Sequence, residues 1–326
     1  MKHPTFQQEL AAIAALELPW EKLRGRAIAV TGATGLIGGS FLRYLAELDL
    51  KLKLIGLCRS PEKLDIPGVQ ALRYDALAEL PDFEADYILH AASNAHPLAF
   101  SADPVGTMQA NLLGSMRLLE KIRSGGRLLF CSTGEIYGEN PGMDAFSEED
   151  SGALNPMRAR SCYPESKRAA ETLCAAYHAQ YGCDALVARL CYVYGPGITP
   201  ENSRADAQFL RKARAGEDII LKSPGSQIRS YCYVADAVSA LLTLLLLGEA
   251  GQAYNIANPA SICSIREYAQ TLADLAGVQL RFELPPEMEK QGYSTVTRAV
   301  LNPKKLEKLG WRAQYGLKTG LERTLG

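Results

Sequence analysis

Between residues 26 and 194, short apolar runs alternate with longer segments whose apolar residues recur every three or four positions. The runs at 27–31, 51–58, 69–74, 87–91, 127–132 and 185–190 read as strands. The stretches at 36–48, 104–122 and 163–181 read as helices between them. Strands that carry few polar positions are covered on both faces, so the alternation predicts an α/β fold: a doubly wound parallel sheet with helices on each side. From residue 195 the pattern changes to shorter elements separated by polar loops and by Pro196, Pro200, Pro224, Pro285 and Pro286. That part reads as a smaller C-terminal substrate-binding lobe, with 252–257 as a strand returning to the main sheet. Leu10, Ile13, Leu16 and Trp20 share a helical spacing, which predicts an N-terminal helix over 5–24, a lid or a packing arm without chemistry of its own. The expected organisation is therefore an extension at 1–25, a sheet domain at 26–194 and a lobe at 195–326.

Charge and composition narrow the function. The 326 residues carry 35 Lys+Arg against 36 Asp+Glu, and this balance argues against nucleic acid as a partner. The longest apolar stretch, 237–248, is too short to cross a membrane, and the first ten residues lack the pattern of a secretory signal. Eight cysteines are scattered without a C-x-x-C pair, which points to reduced thiols in the cytoplasm and against zinc. The four histidines are equally dispersed, so no metal centre is expected.

The first chemical signal is Thr31-Gly32-Ala33-Thr34-Gly35-Leu36-Ile37-Gly38, with glycines at i, i+3 and i+6 between a strand and a helix. The first glycine permits the sharp turn, the second a close approach to a pyrophosphate, and the third close helix–strand packing. The helix start adds free N–H groups and positive potential for phosphates. At the end of the second strand stand Cys58, Arg59 and Ser60. An arginine there suits a 2′-phosphate, so NADP is favoured slightly over NAD. Asp75 ends the third strand, placed either to meet an adenine amino group or to cap its own turn.

The second signal is Tyr163 with Lys167 four residues later, on one face of a helix. A phenol is a poor base at neutral pH, and a nearby ammonium together with an oxidised nicotinamide is expected to lower its pKa by about 3 units. The phenolate then accepts a hydroxyl proton while hydride leaves the same carbon. Thr133, at the end of the fifth strand, is expected to hydrogen-bond the reacting oxygen.

These residues, with TGATGLIGG at 31–39, LHAAS at 89–93, STGEIYG at 132–138, YGPG at 194–197, RSYCYVAD at 229–236 and GW at 310–311, resemble the extended short-chain dehydrogenases that act on nucleotide sugars. The resemblance implies a Rossmann sheet and a nucleotide-sugar lobe. It implies catalytic places for Thr133, Tyr163 and Lys167, with Ala76, Ala91, Ala92 and Ser93 beside the cofactor. It also implies a homodimer through the helices at 104–122 and 163–181. Members of the family oxidise the sugar at C4 and then epimerise, dehydrate or decarboxylate. Hexose dehydratases place Asp-Glu after the threonine; here Gly134-Glu135 follows, which keeps a base and lacks the acid. The stretch 161–174 is most similar to UDP-glucuronate decarboxylases. Two positions depart from the family: Tyr192 stands where an asparagine holds the diphosphate, and Pro164 follows Tyr163 directly, placing the tyrosine at a helix start.

By the same resemblance Arg229 grips the substrate diphosphate, with Arg204 and Lys222 as weaker phosphate candidates. Asn111 and His90 read as structural, His96 as part of a pocket loop, and the acidic run 148–150 as solvated. The leading expectation is an NAD(P)-dependent epimerase/dehydratase of nucleotide sugars. The alternatives are a UDP-glucuronate decarboxylase-like enzyme, a net NADPH-dependent ketosugar reductase, and a cofactor-sensing regulator without catalysis.

Overall fold

The computed structural model describes residues 4–139, 142–283 and 296–326. Pro285 and Pro286 lie outside the described residues. The first part of the chain runs α1 (Pro4–Ala14), β1 (Ala27–Thr31), α2 (Leu36–Glu47), β2 (Lys53–Cys58), β3 (Val69–Arg73), β4 (Tyr87–His90), α3 (Pro97–Ala102), α4 (Pro104–Lys121), β5 (Arg127–Thr133), α5 (Cys162–Tyr181) and β6 (Asp184–Leu190). There follow β7 (Tyr192–Tyr194), α6 (Ala205–Arg214), β8 (Ile219–Leu221), β9 (Ile228–Tyr233), α7 (Val234–Leu247), β10 (Ala253–Ile256), β11 (Ile262–Ser264), α8 (Ile265–Ala276), β12 (Leu280–Phe282), β13 (Arg298–Ala299), α9 (Lys304–Glu307) and α10 (Leu317–Leu325).

Seven parallel strands form the main sheet in the order β3-β2-β1-β4-β5-β6-β10. This is the Rossmann arrangement, and its loops at the C-terminal strand ends converge where the order reverses between β1 and β4. The pleat sends alternate residues to opposite faces. Ile28, Val30 and Leu129 therefore pack with Phe41 and Leu42 of α2 and with Leu241 of α7. Ala29, Leu128 and Phe130 pack with Leu118 of α4 and Ala170 of α5. The apolar run expected to be too short for a membrane is α7, buried along nearly its whole length. No described helix is long and apolar enough to cross a membrane.

Beyond β6 the chain builds a small sheet in which β9 pairs with β7 and β13 in parallel and with β11 antiparallel. Strand β10 returns to the main sheet beside β6.

Two expectations need correction. The N-terminal helix ends at Ala14 rather than continuing to 24: the Leu16 N–H bonds the Ile13 carbonyl instead of continuing the ladder, Pro19 keeps Leu18 from resuming it, and a short 3₁₀ turn follows at Trp20–Lys22. Its buried Glu9 accepts from Tyr44 at 2.6 Å and Tyr233 at 2.8 Å and pairs with Arg323 at 3.2 Å. The acidic run is not merely solvated: Glu148 accepts from the Asn255 N–H at 2.7 Å, and Asp150 caps Ser147 at 2.6 Å.

Candidate active site

The glycine loop joins β1 to α2 as its spacing requires. Gly32 has φ +67°, and a side chain there would meet the Ala91 carbonyl at 2.9 Å; one on Gly38 would meet the Gly32 carbonyl at 2.5 Å. Gly35 is the N-cap of α2, and no side chain caps that end, so the N–H groups of the first turn face outward from the loop. Ala33 is buried, and Thr34 is the exposed residue of the turn. Thr31 Oγ1 accepts the Ala92 N–H at 3.0 Å and lies 2.8 Å from His90 Nδ1, which ties the end of β4 to this loop. Burial, reinforced by Lys167, pushes the His90 imidazole down to about 3, so it packs as a neutral ring. The cradle is narrow, glycine-lined and open at a helix start, which fits a dinucleotide pyrophosphate. Arg59 is exposed at the end of β2. Asp75 is exposed after β3 and accepts the Leu77 N–H at 2.9 Å, so one of its oxygens caps the turn that includes Ala76.

Ser93 donates to Asn111 Oδ1 at 2.8 Å, and Asn111 donates to Ser166 at 2.8 Å. This buried bridge fixes α5 against the loop after β4 and leaves Asn111 a structural role. On α5, Cys162, Tyr163 and Pro164 form the first turn. A proline is tolerated there because the first N–H groups of a helix have no intrahelical acceptor. Tyr163 is 6 % exposed, and its ring stacks on Phe100 of α3 at 5.2 Å. Thr133 Oγ1 accepts the Glu135 N–H at 3.2 Å, and its hydrogen bond with Tyr163 favours the phenolate.

Burial and then the Glu135 carboxylate push the Tyr163 phenol above its ordinary range, opposed by Thr133, Arg204 and Arg160. Lys167 is buried, donates to the Cys131 carbonyl at 2.8 Å and lies 4.5 Å from the Phe130 ring centre. Burial pushes the ammonium itself down to about 8.

The strand end that carries Thr133 is braced from behind. Ser132 hydrogen-bonds Glu171, Glu171 pairs with Arg189 at 2.8 Å, and Arg189 donates to Tyr137 at 2.9 Å.

From the small sheet, Tyr192 comes within electrostatic reach of Glu135, its ring centre 5.8 Å from both the Arg204 and the Arg229 guanidinium carbons. Arg229 is 3 % exposed and donates to the carbonyls of Ile228 at 2.9 Å and Val296 at 2.8 Å. Arg204 donates to the Val193 carbonyl at 2.8 Å and pairs with Asp206 at 3.0 Å, while its buried Nε finds no partner among the described residues. Lys222 is exposed just beyond β8.

Two residues that motif reading missed complete the cluster. Arg160 pairs with Glu135 at 2.8 Å and lies over Phe100 at 4.4 Å. Ser203 lies 3.1 Å from His96 Nδ1 and accepts the Leu98 N–H at 3.0 Å, bridging the helix α3 side to the small-sheet side. The signal available for Arg160 was its place three residues before Tyr163; Ser203 had none.

Residues 28–257 match a family profile described as the NAD dependent epimerase/dehydratase family. The chain belongs to that family. Among its relatives, UDP-glucuronic acid decarboxylase 5 of Arabidopsis thaliana is 32% identical over 305 residues, covering 90% of this chain and 86% of the relative. UDP-glucuronic acid decarboxylase 1 of Danio rerio is 30% identical over 312 residues, covering 94% and 73%. Among solved structures, the UDP-glucose 4-epimerase of Thermus thermophilus in complex with NAD superposes with a TM-score of 0.77 at 26% identity, covering 92% of this chain and 97% of the other. RMD from Pseudomonas aeruginosa complexed with NADPH gives a TM-score of 0.73 at 27% identity, covering 92% and 97%. As a member of this epimerase/dehydratase family, the chain is an NAD(P)-dependent enzyme of the extended short-chain dehydrogenase type.

Proposed function

We propose that this family member oxidises the C4 hydroxyl of a nucleotide-diphosphate sugar, retains the 4-ketone, and completes its chemistry at C4 or C5 before release. The observation that carries this reading is the buried Tyr163, hydrogen-bonded to Thr133 and one helical turn before buried Lys167, whose charge reaches His90 at the strand end tied to the glycine loop. Bound NAD(P) supplies the hydride acceptor and later the donor. Tyr163 Oη takes the C4 hydroxyl proton, and the Thr133 O–H orients the reacting oxygen. Thr133, Arg204 and Arg160 favour the phenolate against burial and Glu135. Tyr192, Arg229, Arg204 and Lys222 are the substrate-binding candidates, of which the buried Nε of Arg204 retains an open donor.

The second reading within this class is a UDP-glucuronate decarboxylase. It is favoured by Glu135, by its ion pair with Arg160, and by the names of the curated relatives. Incubation with a panel of UDP-, dTDP-, CDP- and GDP-sugars, read by mass, separates the branches. Loss of carbon dioxide marks the decarboxylase, loss of water the dehydratase, and unchanged mass with a new sugar the epimerase. Stoichiometric consumption of NADPH would replace this reading with the net reductase, and no conversion of any sugar would leave a cofactor sensor.

Exposed Arg59 supports NADP. Arg59→Asp should move preference toward NAD about tenfold or more, since an acidic residue there bonds the ribose hydroxyl and repels a phosphate. The ratio of Kd values for the two cofactors checks it; an unaltered enzyme that already prefers NAD sinks the argument. A homodimer through α4 and α5 is supported by Val105 and Met108, which are 65% and 40% exposed on α4. The eight cysteines are all free, as suits a cytoplasmic enzyme.

A further inference from the structure

Arg160 was assigned no role from sequence, yet it contacts both sides of the reacting cluster. It stands in the 3₁₀ turn that leads into α5, a turn held by the Ser161 hydroxyl donating to the Asn155 carbonyl at 2.7 Å. One edge of its guanidinium holds Glu135 Oε2 at 2.8 Å. Its face lies on Phe100, whose ring in turn stacks on Tyr163, so Arg160, Phe100 and Tyr163 form one column. The Cys162 thiol, 3.6 Å from the Phe100 carbonyl, ties α3 to the same helix start.

The Arg160 and Glu135 side chains are 47% and 31% exposed, and a pair this open adds little to stability. Its geometric effect is larger. Glu135 sits on a short turn after β5 and has three rotatable side-chain bonds, so unheld it can swing into solvent. A guanidinium seated over an aromatic ring is restrained from following it away, and its charge-assisted hydrogen bond to Oε2 limits how far the carboxylate can swing.

We propose that Arg160 is a positioning residue, which holds the Glu135 carboxylate beside Tyr163 so that the step after oxidation outruns escape of the ketone. The inference rests on the C4-oxidation reading and adds to it the group that sets Glu135. Neither Arg160 nor Phe100 need touch the sugar for this.

The test is single-turnover and steady-state kinetics of Arg160→Gln, Arg160→Lys and Glu135→Gln, with the nucleotide sugar that the unaltered enzyme converts. In Arg160→Gln the cofactor absorbance burst that reports ketone formation should slow by no more than about threefold, because Arg160 is the smallest of the three influences that favour the Tyr163 phenolate. Completed turnover should fall about a hundredfold, the usual cost of a misplaced reacting group, with the 4-keto sugar released and detected by mass. Glu135→Gln should give the same partition. Arg160→Lys, which keeps the charge and loses the stacked plane, should recover about tenfold of the loss. Thermal midpoints should not move by more than about one degree, because the pair is half exposed. Arg160→Gln completing turnover normally, or slowing the burst and completion alike, overturns the proposal while the C4-oxidation reading stands. No cofactor burst in the unaltered enzyme with any sugar overturns both.

Discussion

Tyr163→Phe is expected to lower turnover about a thousandfold while leaving NAD(P) affinity within about threefold. General acid–base groups contribute about 10²–10⁴ in rate, and the phenolic oxygen is the one atom this substitution removes. The ring keeps its place, because the stacking on Phe100 at 5.2 Å and 15° does not involve the hydroxyl. The backbone keeps its place as well, since α5 is pinned through Ser166 and Asn111 rather than through the Tyr163 side chain. The loop after β1 that fits the pyrophosphate is a separate part of the cleft, so cofactor titration should read nearly the same in both proteins. Thr133 alone loses an acceptor, and its hydroxyl can turn to water or to substrate. The burst of cofactor reduction should vanish together with turnover. Near-normal turnover, or a matching loss of cofactor affinity, would remove Tyr163 from the role of base.

The strands of the main sheet were legible because buried parallel strands leave continuous apolar runs, and Ala27–Thr31 and Asp184–Leu190 are of that kind. The glycine loop was legible for a different reason. Gly32 and Gly38 answer to local geometry, a positive φ and a carbonyl 2.5 Å from where a side chain would begin, which only glycine satisfies and which leaves a mark at fixed spacing. Tyr163 and Lys167 could be paired because four residues make one face of a helix. What surrounds them was not readable by those means. Glu135 and Arg160 lie 25 residues apart, and Arg189 and Glu148 meet across 41 residues, contacts that depend on how loops return over the sheet. Arg229 reads in sequence as an anion clamp, but two of its donors are directed to backbone carbonyls, because the chain around residue 296 runs alongside β9. The surroundings of Tyr163 were unreadable for the same reason: its burial and its acidic neighbour Glu135 are tertiary facts. The N-terminal helix was overextended because its apolar spacing continues through Leu16 to Trp20, while the helical geometry stops at Ala14 and Pro19 keeps it from resuming.

Lys167 is where function and stability oppose each other, and Lys167→Met should show both sides. Turnover should fall at least a hundredfold, since the ammonium is the buried positive charge of the Tyr163 helix and methionine carries none. The fold, by contrast, should gain. Burial lowers the Lys167 pKa from the ordinary 10.5 to about 8. That difference corresponds to about 3 kcal/mol against the charged form in the folded state. Methionine has a similar length and fills irregular apolar space without that cost. Loss of the hydrogen bond to the Cys131 carbonyl at 2.8 Å offsets about 1 kcal/mol. The net gain of about 2 kcal/mol at pH 7 corresponds to a thermal midpoint several degrees higher. Its pH dependence follows from the direction of the shift. Below about 8 the lysine is charged in both states and the folded protein bears the whole penalty. Between about 8 and 10.5 the unfolded chain binds the extra proton, so the unaltered protein becomes relatively more stable as pH rises. The advantage of the methionine variant should therefore be full at pH 7 and shrink steadily toward pH 10. Melting curves of the two proteins without added cofactor, taken across that range, decide it. An advantage that is absent at pH 7, or that widens with pH, would mean the buried ammonium is stabilised by its surroundings rather than held there for the reaction.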